Sequence, residues 1–114
     1  MREYLGSTAY ELATEKLRAP TTLKERLVTV SNSVTEILPN NPRRLSWHVC
    51  NRSSSPVYFA FSTELTIGNG FFLDANGGFA SMTVAEDGEA VGYSVYAISA
   101  SESAIVRVSE VYTL

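Results

Sequence analysis

From about Leu23 onward, apolar and polar residues alternate with period two, and short polar clusters interrupt the alternation. These clusters are SNS (31–33), PNNP (39–42), RSSS (52–55), GNG (68–70), NGG (76–78), EDG (86–88) and SASE (99–102). They separate eight runs: KERLVTV, VTEIL, RRLSWHVCN, VYFAFSTELTI, FFLDA, FASMTV, EAVGYSVYAI and SAIVRVSEVYTL. Val, Ile, Tyr, Phe and Thr fit a pleated, half-buried surface, whereas Gly, Asn, Pro and Ser supply the dihedrals and local hydrogen bonds of turns. Breaks at this spacing predict an all-β antiparallel sandwich or barrel of about eight strands. No internal repeat or low-complexity segment is visible.

The first twenty residues follow a different period. Leu5, Ala9, Leu12, Ala13 and Leu17 recur near every 3.6 residues and form one apolar stripe. Thr8 and Glu11 fit a capping box, acids come early and bases late, and Pro20 ends the helical pattern. A helix of this length is marginal alone in water, so the stripe must dock on its own domain, a sister subunit or a larger assembly. The chain thus divides into a helical arm, residues 1–22, and a β-sandwich domain, residues 23–114.

The stretch LSWHVCNRSSSPVYFAFS (45–62) contains the single Trp, His and Cys. In an extended strand Leu45, Trp47 and Val49 point one way, and Ser46, His48 and Cys50 the other. Val57, Phe59 and Phe61 share a face in the next run, so both large apolar faces meet one core. The five residues Arg52–Pro56 join the two strands either as a hairpin loop or as a corner between sheets. His48 and Cys50 share a face, but two positions along a strand separate them by roughly 6.5–7 Å, beyond hydrogen-bond reach. A half-buried histidine and an inert buried thiol are expected instead. Asn51-Arg52-Ser53 matches a glycosylation triplet, but Asn51 is expected to cap the turn with its side chain.

Other candidate chemistry weakens on inspection. The glycines of GNGFFLDANGGF lack a following Gly-Lys-Ser/Thr and a helix, so they read as tight turns needing positive φ rather than a phosphate loop. Asp87-Gly88 signals a hairpin between FASMTV and EAVGYSVYAI, and Glu86, Asp87 and Glu89 match no calcium-loop spacing. None of the twelve acids sits in an apolar run. Arg43 and Arg44 follow Pro42 at a strand start, where exposure and pairing with acids of a neighbouring subunit are expected. Tyr58, Tyr93 and Tyr96 invite a sugar-platform reading, but Tyr93 and Tyr96, three apart, face opposite sides of a regular strand.

Composition adds limits. A chain of 114 residues with 45% hydrophobic residues can build one core without staples, and one cysteine cannot form an internal disulfide. Only 18% of residues are charged, below the usual quarter, as expected of a surface partly covered by partners. The net charge of −3 argues against nucleic acid. No apolar stretch fits a signal peptide or membrane span, so synthesis in the cytoplasm is expected. Residues 1–52 hold eight Lys/Arg against five acids, and residues 53–114 one Arg against seven acids. Either the halves interleave and cancel, or opposite fields guide head-to-tail assembly.

VTEILPNNPRRLSWHVCNRSSSPVYFAFS resembles a pattern of small virion proteins of tailed phages and related viruses: a strand ending in Leu-Pro, an Asn-Pro-Arg turn, an apolar strand closing on Asn, a Ser-rich turn and a Val-Tyr strand. GYSVYAISASESAIVRVSE resembles the strand pair that ends such domains, and GNGFFLDANGGF is similar to their Gly-led strand and Gly-Gly turn. The resemblance covers roughly residues 34–110. It implies a jelly-roll-like sandwich that decorates a capsid or forms a minor head or tail component, with other virion proteins and its own copies, a trimer among the options, as partners. It implies no enzyme activity and no cofactor. The helical arm is not part of the family pattern; Leu5, Leu12 and Leu17, with Arg43 and Arg44, are the expected assembly contacts. A carbohydrate-binding module is the alternative.

Overall fold

The structure is a computed structural model and describes residues 20–114. The expected helix, with Leu5, Leu12 and Leu17, lies outside the described residues. Each of the eight alternating runs yields one strand: β1 Thr21–Val30, β2 Thr35–Leu38, β3 Arg44–Asn51, β4 Val57–Ala60, β5 Phe71–Leu73, β6 Phe79–Thr83, β7 Val95–Ser99 and β8 Ala104–Thr113. They form two antiparallel four-stranded sheets, β1-β8-β3-β6 (sheet A) and β2-β7-β4-β5 (sheet B). Every connection crosses from one sheet to the other except β4–β5. That winding is a jelly roll. The loop between the Trp47 strand and the Val57 strand is therefore a corner, one of the two options the sequence leaves open.

Alternation sets the core. Val49, Val106 and Val108 of sheet A and Val57, Val95 and Ala97 of sheet B are fully buried between the layers. Trp47 meets Phe59 across the gap edge to face, with ring centroids 6.1 Å apart at 86°. Such a pair contributes about 0.5–1.5 kcal/mol beyond its burial.

Two expectations fail for physical reasons. No hairpin forms at Asp87-Gly88, because β6 lies in sheet A and β7 in sheet B. A short helix, α1 (Val84–Asp87), and a 3-10 turn (Gly88–Gly92) fill this crossover. Gly88 does take positive φ (65°), but as the C-cap of α1, where its N–H reaches the Val84 carbonyl. Leu45 does not join Trp47 in the core. The β3–β8 register slips between Arg44 and Ser46, leaving Leu45 as an extra residue and turning Arg44 inward opposite Tyr112. Of the two glycine clusters, the second takes positive φ, at Asn76 (58°) and Gly77 (118°), where β5 turns into β6.

Candidate functional site

The residues singled out for chemistry are dispersed. His48 is exposed on the outer face of sheet A, not half-buried, and stacks on Phe79 at 5.4 Å and 26°. Cys50, on the same face, is partly accessible rather than buried, because no layer covers that side of sheet A among the described residues. Asn51 is fully buried. Its Oδ1 accepts from the Ser53 N–H (3.0 Å) and hydroxyl (2.8 Å), and its Nδ2 donates to the carbonyls of Ser55 (2.8 Å) and Leu73 (3.1 Å). It caps the corner and ties it to β5. Tyr93 lies outside the strands, Tyr58 and Tyr96 are half-buried, and no aromatic contact joins the three among the described residues. No group of three His, Cys, Asp or Glu side chains converges on a point there either.

Arg44, expected at the surface, has a fully buried side chain. The bulge aims it into the end of the sandwich, where its Nε lies 3.4 Å from Glu110 Oε1. Its Nη1 donates to the carbonyls of Val91 (3.3 Å) and Tyr93 (3.2 Å), and its Nη2 to that of Pro39. Glu110, only 4% exposed, also meets Arg26 Nη1 at 3.4 Å, and Arg26 Nη2 donates to the Ile37 carbonyl (2.7 Å). This acid continues the inward phase of Ala104, Val106 and Val108, so one of the twelve acids does occupy a core position. The network fastens the end of sheet A to β2 and to the β6–β7 crossover. Arg44 is thus engaged inside the domain, while Arg43 stays exposed beside it.

The surface feature that stands apart is at the sheet edges. Among the described residues, sheet A ends in β1 and β6, and sheet B in β2 and β5. Leu23 (60% exposed), Leu27 (62%), Phe71 (58%), Phe72 (57%) and Phe79 (67%) all lie on these edge strands. Along the β5–β6 side the layers part enough to open an apolar cleft of about 170 Å³, lined by Trp47, Phe59, Phe61, Phe71, Ala80 and Met82. Trp47 Nε1 is buried and meets no acceptor among the described residues.

No family model and no curated protein matches the chain. A solved structure does, one described as "Bacillus endospore appendages form a novel family of disulfide-linked pili". The match has 18% identity and a TM-score of 0.46, over 82% of this chain and 88% of that one. At that identity and score the likeness assigns no function.

Sequence reasoning missed the edge residues and the Arg44–Glu110 network. For Glu110 a signal existed, since two-residue counting from Val106 places it inward. For Arg44 there was none, because the bulge breaks the count. The exposure of Leu23, Leu27 and Phe79 depends on which strands end up as edges, and alternation does not encode strand order.

Proposed function

We propose that this chain is a non-enzymatic structural subunit acting through protein–protein contacts, in the setting of a capsid-decorating or minor head or tail component of a virion. The observation that carries the reading is the five large apolar side chains, each more than half exposed, on the free strands of the two sheets. Isolated exposed hydrophobics are ordinary on a soluble domain, but apolar groups gathered on open strand edges mark association sites. The low charge content supports the same reading. The virion setting rests on the sequence resemblance over residues 34–110. Within it, the apolar residues Leu5, Leu12 and Leu17 of the arm and the exposed Arg43 serve as further contacts to capsid or sister subunits.

Mass-resolved sizing of the purified chain, with an assay for the protein in purified particles, tests this. An assembled species burying over about 1,000 Å² per contact, found in particles, is the expected result. Deleting residues 1–20 is expected to leave a folded β-domain, read by its circular dichroism, that no longer joins the particle. A chain monomeric at every concentration and absent from particles refutes the reading. Glycan-array binding that Tyr93→Ala and Tyr96→Ala abolish would put a carbohydrate-binding module in its place.

A further inference from the structure

Three properties of sheet A fit one another. First, its strands alternate in direction from β1 to β6. A second copy set beside the first in the same orientation therefore brings its β1 antiparallel to β6 and continues the alternation.

Second, the backbone groups match in phase. Gly78 accepts from the Asn51 N–H, so Gly78, Ala80 and Met82 turn their backbone groups toward β3, and Phe79, Ser81 and Thr83 turn theirs to the open side. The Thr83 N–H on that side is taken by Asp87 (3.0 Å), which leaves Phe79 and Ser81 with free donors and acceptors among the described residues. At the other edge the Leu114 N–H donates to the Pro20 carbonyl. Even-numbered residues of β1 thus face β8, and Leu23, Glu25 and Leu27 face outward.

Third, the side chains match in level. The register runs Leu27–Arg107–Cys50–Phe79 in one row and Leu23–Val111–Ser46–Thr83 in another. Leu27 and Phe79, the two most exposed apolar side chains of the sheet's outer face, stand at the same height on opposite edges.

We infer that sheet A is extended by a second copy of this chain, with β6 of one copy beside β1 of the next, Phe79 opposite Leu27 and Ser81 opposite Glu25. The inference rests on the self-association reading and names the surfaces that carry it. β1 and β6 pair regularly with their neighbours inside the sheet, with no register shift. By contrast β5 has three residues, and β2 has four and carries a bulge, both features that guard an edge against pairing. Charge favours the same joint. Lys24 of the incoming strand stands level with Met82, near the end of β6, where Glu86, Asp87 and Glu89 follow. The contact uses different surfaces on the two copies, so it propagates, and the twist of the sheet turns the row into a ring or a helical filament.

Leu27→Lys blocks one edge and Phe79→Lys the other; both sites are exposed, and circular dichroism checks that each variant folds. Sedimentation of either variant alone is expected to show assembly weakened about tenfold or more. An equimolar mixture is expected to form a one-to-one dimer and nothing larger, because one intact edge of each kind remains. Oxidising Leu27→Cys/Cys50→Ser mixed with Phe79→Cys/Cys50→Ser should give a cross-linked heterodimer that neither gives alone. Leu27→Lys and Phe79→Lys that each assemble as well as the wild-type chain overturn the edge pairing and leave self-association standing. Dimers formed by each variant alone overturn it in favour of a symmetric contact. A wild-type chain that stays monomeric overturns both.

Discussion

The two ends of sheet A's inner face are built on opposite principles. Around Val49, Val106 and Val108 the interior is aliphatic and fully buried, and stability comes from area removed from water. A few residues further along β8, the same face carries Glu110 between Arg44 and Arg26. There the charges are held by geometry, and each depends on its partners remaining in place. An aliphatic site loses roughly what is removed from it. An ionic site loses more, because the group left behind is stranded away from water.

The sharpest way to break this contrast is Arg44→Ala. It leaves the buried Glu110 with Arg26 as its one charged partner and removes the donors to three carbonyls, so a loss of about 3–5 kcal/mol is expected in urea unfolding. The double replacement Arg44→Met with Glu110→Leu sharpens it: about 1–2 kcal/mol of that loss should be recovered, the share owed to the buried carboxylate, while the carbonyls of Pro39, Val91 and Tyr93 still lack their donor. In the aliphatic half, Val106→Ala is expected to cost about 2 kcal/mol by the same measurement, from lost burial and a small cavity. The smallest effect belongs to Arg107→Ala. Its pair with Glu25 is short (3.0 Å), but both side chains are about half exposed, so a change of no more than about 0.5 kcal/mol is expected. If Arg107→Ala cost as much as Arg44→Ala, burial would not be what separates the two kinds of site.

Strand number and most of the inward set were legible in the sequence because period-two alternation reports which face is dry. Trp47, Val49, Val57 and Phe59 are inside as alternation requires. Asn51 was readable too, since a short amide beside a Ser-rich corner has local backbone groups to bind. What alternation does not encode is partner choice. Whether Asp87-Gly88 closes a hairpin depends on where β7 finds its neighbours, and it finds β2 and β4 in the other sheet. Arg44 escaped because a single inserted residue reverses the count, and the bulge leaves no mark in composition. The association surface stayed hidden for the same reason as the hairpin: Leu27 and Phe79 are notable only once β1 and β6 are known to be edges.

The position of β8 has a consequence for biogenesis. The strand that lies between β1 and β3 is supplied by residues 104–113, so sheet A has no middle until the last part of this stretch leaves the ribosome. Among the described residues β1 pairs with β8 alone, and some seventy residues separate the two strands. Closure is therefore governed by contacts distant in sequence, which makes folding slow relative to domains built from local hairpins. A nascent chain stalled before Ala104 would expose both faces of an unfinished layer to chaperones.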